Sequence, residues 1–246
     1  MAAGNNAAAL SSVCSLGYLF LIEGHFQRAA EIFRKILDDE TQQGGGSFPI
    51  ISMAHGGMGE LLCEWYELEA AENHLLQGIA LAKQWRFVGS QVHDYLSLAN
   101  VKHARGDIDG ALALLHNVDQ IVQQYNIPQG DTITRLFRVR LELAQGKIDA
   151  ASQRIEGVSF NLEKSNTSRS DSEYLTLVRV RIAQGRFEEA QQLLEPMLQV
   201  LHEQEPERRL RTLIETLVLQ ALVLEDHNKT DRAITTLAQA FVACRT

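Results

Sequence analysis

The chain has 246 residues, 45% hydrophobic and 22% charged, a balance that excludes disorder and supplies enough apolar surface for a packed core. Its 31 acidic against 23 basic side chains give a net charge of −8, with 14 acids and 7 bases in residues 1–126, and this excludes a chain that holds nucleic acid by its own positive charge. With only 4 Pro and 17 Gly, long helices are favoured over the frequent turns of a sandwich or barrel.

In chain order, the first apolar run is Leu16–Ile22, which is too short to cross a bilayer and has no basic region before it. Neither a signal peptide nor a membrane span is expected. Cys14, Cys63 and Cys244 are odd in number, far apart and free of any C-x-x-C pair, so a reducing cytoplasmic location fits best.

From Gly24 onward one pattern recurs: a small or turn residue, an apolar residue two positions on and Ala five positions on. It begins at Gly24, Tyr66, Gly106, Gly146, Gly185 and Asn228, at spacings of 42, 40, 40, 39 and 43 residues. Seven residues before each start sit Gly17, Gly59, Ala99, Val139, Val178 and Ala221, small or β-branched side chains that let two helices approach closely. The Ala residues are Ala29, Ala71, Ala111, Ala151, Ala190 and Ala233. Four residues after each come Phe33, Leu75, Leu115, Ile155, Leu194 and Leu237, one helical turn along the same face. Each unit therefore predicts a helix, a tight left-handed turn and a second helix.

The hairpins span about 7–43, 50–88, 90–127, 131–165, 170–204 and 207–246, with loops at Gly44 to Pro49, Arg86 to Ser90, Asn126 to Asp131, Ser165 to Ser170 and Glu205–Pro206. Pro196 falls inside the second helix of the fifth hairpin, where it should remove a hydrogen bond and kink the helix. Such units cannot bury their faces alone. The expectation is an all-α chain, a single right-handed α-solenoid domain of six helix hairpins with a concave side lined by the first helices.

The small residue, the seven-residue step to the turn and the Ala beyond it resemble the tetratricopeptide core, with a period near 41 residues in place of 34. That longer period, with Glu64 to Ala71, Ala104 to Leu112, Leu143 to Gly146 and Gln220 to Leu222 at successive places, resembles the superhelical sensor domain of MalT-type, LuxR-family transcriptional activators. Almost the whole chain is covered. The resemblance implies a signal-transducing NTPase in which a nucleotide-binding module precedes the helical repeats and a promoter-binding helix-turn-helix follows them. Neither Gly44-Gly45-Gly46-Ser47 nor Gly56-Gly57-Met58-Gly59 continues into the Gly-Lys-Ser/Thr of a phosphate loop, so no nucleotide site is expected in this segment, nor direct nucleic-acid binding. Abrupt ends, without polar caps, suggest a fragment of a longer regulator.

His55-Gly56-Gly57-Met58-Gly59 resembles an esterase oxyanion loop, but no G-x-S-x-G elbow supplies a nucleophile. Those glycines are read as loop and close helix packing, and the chain as not an enzyme. The 8 His include no H-E-x-x-H and no i,i+4 pair, so neither a metal nor another cofactor is expected. Trp65 and Tyr66 are read as packing residues, and Arg208-Arg209-Arg211 as a solvated or inter-domain face. In a tetratricopeptide-like array the residue six before each turn faces the groove. The candidate ligand-binding residues are therefore Tyr18, Glu60, Asn100, Arg140 and Arg179, with His103 one turn beyond Asn100. The planar forks of Arg140 and Arg179 suit a carboxylate, a phosphate or sugar hydroxyls. The expected function is sensing of a small-molecule inducer or regulatory protein in that groove. A generic repeat scaffold for protein–protein interaction is the alternative.

Overall fold

The computed structural model describes residues 2–43, 49–127, 130–156, 168–203 and 210–243. Among them are twelve helices and no strand, in six hairpins: α1 (Ala2–Glu23) and α2 (Phe26–Gln43), α3 (Pro49–Glu64) and α4 (Leu68–Gln84), α5 (Val88–Ala104) and α6 (Ile108–Tyr125), α7 (Gly130–Ala144) and α8 (Ile148–Ile155), α9 (Ser168–Ala183) and α10 (Phe187–Glu203), α11 (Leu210–Asp226) and α12 (Thr230–Ala243).

All six expected turn residues have positive φ: 86° at Gly24, 62° at Tyr66, 77° at Gly106, 71° at Gly146 and Gly185, and 54° at Asn228. The left-handed residue closes the first helix by a repeated pair of bonds. At the third hairpin the Gly106 amide donates to the His103 carbonyl at 2.9 Å, and the Asp107 amide to Lys102 at 2.9 Å, satisfying two carbonyls that the helix end leaves open. Arg86 (53°) and Asn126 (47°) end α4 and α6 in the same conformation.

The seam between paired helices follows the sequence pattern. Gly17, Gly59, Ala99, Val139, Val178 and Ala221 are all buried, as are the six pattern alanines. A Cβ at Gly17 would lie 2.8 Å from Phe33, and one at Gly59 would lie 2.5 Å from Leu75, so these glycines make room for the bulky residue of the partner helix. Phe33, Leu75, Leu115, Ile155 and Leu194 are buried, whereas Leu237 on α12 is 37% exposed because no described helix covers that face.

Pro196 lies inside the second helix of the fifth hairpin as expected, and α10 continues past it to Glu203; Pro196 is exposed, so the carbonyl deprived of its partner lies on the solvent side. Two other local expectations are corrected. His55 to Gly59 is not a loop but the middle of α3, where the close packing also expected of those glycines outweighs their helix-breaking tendency. Helices also reach into the expected loops: Pro49 opens α3, Val88 opens α5, Gly130 opens α7 and Ser168 opens α9. Residues 44–48, 128–129, 165–167, and Glu205–Pro206 lie outside the described residues.

Contacts divide the chain into two compact units. The first comprises Met1–Leu21 with His25–Thr134, and the second Ile22–Gly24 with Arg135–Thr246. In the first, one apolar core runs through α1 to α6, and α3 packs on α5 as well as on α4. In the second, Leu175, Leu194, Met197 and Leu201 centre a core shared by α9, α10 and α11, and α9 packs on α11. First helices thus stack on first helices within each unit, which aligns their register positions.

Candidate functional site

In the first unit this stacking brings together polar side chains that lie far apart in sequence. Tyr18 on α1 donates its hydroxyl to the Met53 carbonyl on α3 at 2.9 Å and meets the His93 ring edge-on at 5.3 Å. His93 on α5 holds Glu60 of α3 through Nε2 at 3.0 Å and Asp94 through Nδ1 at 3.2 Å. Asp94 is fully buried and also accepts from Ser90 Oγ at 3.4 Å. Space for its carboxylate comes from two glycines, since a Cβ at Gly56 would lie 2.1 Å from Oδ1 and one at Gly78 would lie 2.6 Å from Oδ2.

Burial opposes charge on His93, but the hydrogen bonds and negative charges of Asp94 and Glu60 outweigh it and raise the imidazole to about 10. Burial pushes the Asp94 carboxyl up, and bonding to His93 counters that rise. Burial likewise raises the Tyr18 phenol, with Asp94 and Glu60 adding to it. With both ring nitrogens engaged by carboxylates, His93 is an imidazolium clamp and has no lone pair for a proton or a metal. Nearby, His55 and His74 face each other with Nδ1 atoms 3.0 Å apart, and burial lowers His55 to about 4.

The second unit repeats the geometry with other charges. Arg179 on α9 pairs through Nη1 with Glu215 Oε1 on α11. Arg140 on α7 is half-buried, with its guanidinium carbon 5.0 Å from the centre of the Phe137 ring. Its pKa is lowered by burial first and then by the like charges of Arg179 and Arg211, while Glu215 acts in the opposite sense.

One register links these contacts. Tyr18, Glu60 and Arg179 stand six residues before their own turn, and their partners Met53, His93 and Glu215 stand thirteen before the next turn. The separation is the repeat length less two helical turns. Applied to Asn100 the step lands on Ile133, and applied to Arg140 it lands on Ser172, which is exposed and uncharged.

Comparison with known families settles what kind of array this is. A model described as the MalT-like TPR region matches residues 1–244. The chain belongs to that family. Solved structures similar to it include nearly identical TPR-like repeats from Podosopora anserina and a glutamine-to-methionine variant of them. Each is 16% identical and covers 96% of this chain and 95% of its own, with TM-scores of 0.40 and 0.39, too loose a likeness to bear on function. No curated protein matches the sequence.

In this MalT-like TPR region the six candidate residues fall into separate places. Tyr18 and Glu60 meet around His93 in the first unit. Asn100 is exposed and His103 half-buried, both towards the C-terminal end of α5. Arg140 and Arg179 belong to the second unit, where the charge of Arg179 helps to lower the pKa of Arg140. Trp65 packs on the first core as expected, while Tyr66, the turn residue, is 71% exposed. Arg208 and Arg209 lie outside the described residues. Sequence reasoning missed His93, Asp94, Phe137 and Glu215, and read Arg211 as part of a solvated or inter-domain face; a search at one repeat length minus seven finds His93 and Glu215. Among the described residues no group of three or more His, Cys, Asp or Glu is placed to hold a metal ion, and no helix is long and apolar enough to cross a membrane.

Proposed function

We propose that this chain is the sensing domain of a MalT-type, LuxR-family transcriptional regulator, cytoplasmic and non-catalytic, acting beside nucleotide-binding and helix-turn-helix modules of the same regulator. Family membership supports the class of protein. The observation that carries the sensing role is the register of polar side chains that bridge stacked first helices, Glu60 to His93 and Arg179 to Glu215, with Arg140 left unbridged. A ligand that adds or replaces such a bridge favours one spacing of the helices over another, and that differential affinity is what shifts a resting protein to its active form. The exposed apolar side chains of Ile234, Phe241 and Val242 on α12 favour the second reading, a scaffold that binds a protein segment.

Thermal unfolding of the purified chain against a panel of sugars, sugar phosphates and carboxylic acids tests the sensing role. A true inducer at about 100 times its Kd stabilises by about 2.7 kcal/mol. A panel with no stabilising compound, together with a binding partner whose affinity depends on α12, would overturn sensing in favour of the scaffold.

A further inference from the structure

We propose that His55 and His74 bind a divalent transition-metal ion between α3 and α4 through their Nδ1 atoms, with water filling the remaining positions. The inference goes beyond the sensing role and does not depend on it.

The repeat sets the pair. His55 stands eleven residues before its turn residue Tyr66, and His74 stands three after the pattern alanine Ala71, a separation of 19. In the fifth hairpin the same step of 19 joins Tyr174 to Leu193, where the tyrosine hydroxyl donates to the Leu193 carbonyl at 2.8 Å. The two positions therefore face each other across a hairpin. In the first hairpin they hold Val13 and Ile32, in the third Tyr95 and Leu114, and no hairpin but the second has His, Cys, Asp or Glu at either of them.

The geometry suits an ion. The Nδ1 atoms lie 3.0 Å apart, with ring centres 5.1 Å apart and planes inclined at 42°. Two nitrogens each about 2.1 Å from a metal and at right angles stand about 3.0 Å apart, and a tetrahedral angle needs about 3.4 Å. An octahedral ion thus fits the spacing as it is, and a tetrahedral one needs only a small rotation of the rings. The backbone holds that spacing. A Cβ at Gly59, one turn beyond His55, would lie 3.1 Å from the Ala71 carbonyl oxygen, so the two helices run in close approach beside the pair. Both rings are half-buried, no carboxylate contributes to the shift of either, and burial disfavours their charged forms, which leaves a bare nitrogen on each. His93, with carboxylates on both nitrogens, is the opposite case.

Without metal, one Nδ1 carries a hydrogen and donates it to the other. Binding moves that hydrogen to Nε2 of the same ring, so both Nδ1 lone pairs meet the ion and no proton is lost. Imidazole nitrogen suits zinc, nickel and copper, and does not suit magnesium or calcium. Among the described residues no third His, Cys, Asp or Glu joins the pair, which leaves the open positions to water. An ion held by both helices binds the folded hairpin better than the unfolded chain, and so stabilises the first unit.

The test titrates zinc and nickel chlorides calorimetrically into the full untagged chain, stripped of metal with EDTA, with magnesium chloride as the control. Saturable binding of one zinc or nickel ion per chain is expected, with none of magnesium, and zinc should raise the thermal unfolding midpoint until EDTA reverses it. His55→Gln and His74→Gln should each weaken binding at least tenfold. His116→Gln, on an exposed ring bonded to Gln120, should leave it unchanged. Histidine side-chain NMR of the unmodified chain needs no variant: zinc should shift the Nδ1 resonances of two imidazoles together and remove the hydrogen from the one that carried it. Metal binding that is absent, that is equal in the His55, His74 and His116 variants, or that leaves every Nδ1 resonance in place overturns the site, and the pair is then a hydrogen bond alone. That outcome leaves the sensing role standing.

Discussion

Asp94 places a carboxylate at zero exposure in the first unit, and an isolated buried charge of that kind is not tolerated in a folded protein. His93 and Ser90 on its own helix make it tolerable, and Gly56 and Gly78 leave it the room. Removing the imidazolium while keeping the acid is therefore the damaging change. His93→Leu should lower the unfolding free energy by about 3 kcal/mol, the low end for breaking a buried pair because about a third of the His93 side chain remains in water. Asp94→Asn, which removes the charge but keeps a polar group in the slot, should cost less. Urea denaturation of both variants checks the order, and equal losses would mean that the side chains matter for shape alone. Little of this cluster was legible in the sequence. Glu60 and Tyr18 were marked by their register, but His93 and Asp94 sit among ordinary polar residues. Only the stacking of α5 on α3 turns a separation of 33 residues into a contact.

At the scale of one helix, α3 shows how packing overrides propensity. Gly56, Gly57 and Gly59 each cost a helix about 1 kcal/mol relative to Ala, which favoured reading the segment as partly loop. The structure buries all three, and a Cβ at Gly57 would lie 2.3 Å from the ring of Phe33, a fully buried side chain that has nowhere to move. Gly57→Ala should thus destabilise by about 1–3 kcal/mol despite its better propensity, because overpacking outweighs the gain. Gly89, in the first turn of α5, is the control: nothing lies within 4 Å of its missing Cβ, so Gly89→Ala should be neutral or stabilising by up to about 1 kcal/mol. Chemical denaturation midpoints of the two variants should move in opposite directions. The hairpin turns were legible for the opposite reason. There the constraint is local, a left-handed residue that closes a helix, and it writes Gly, Asn or an exposed Tyr at a fixed step from the pattern alanine.

For the whole molecule, six phase-locked hairpins were readable because each repeat restates the same constraint. Its division into two compact units was not, since the pattern runs unbroken through the boundary near Thr134. The division has a thermodynamic consequence: the histidines with displaced pKa values all belong to the first unit, so pH acts on that unit from both sides of neutrality. Burial lowers His55 from 6.5 to about 4 and lowers His74 in the same direction. A base whose folded pKa is depressed binds fewer protons folded than unfolded, so stability falls as pH drops from 6.5 towards 4, by about 3 kcal/mol at most for His55. His93 runs the other way. Its folded pKa is raised from 6.5 to about 10, so its contribution is complete below 6.5 and is lost as pH rises towards 10. Water around the part-exposed His93 side chain makes that alkaline loss smaller than the displacement alone implies. Stability of the first unit should therefore peak near pH 6.5 and decline in both directions. Unfolding free energies from pH 4.5 to 9.5 for the unmodified chain, His55→Gln and His93→Gln test this arrangement. His55→Gln should flatten the acid limb and spare the alkaline one, and His93→Gln should do the reverse, lowering the whole curve while removing its alkaline slope. If either variant leaves its own limb unchanged, that histidine does not carry the linkage: His55 is then less buried, or His93 less tightly paired with Asp94 and Glu60, than their contacts indicate.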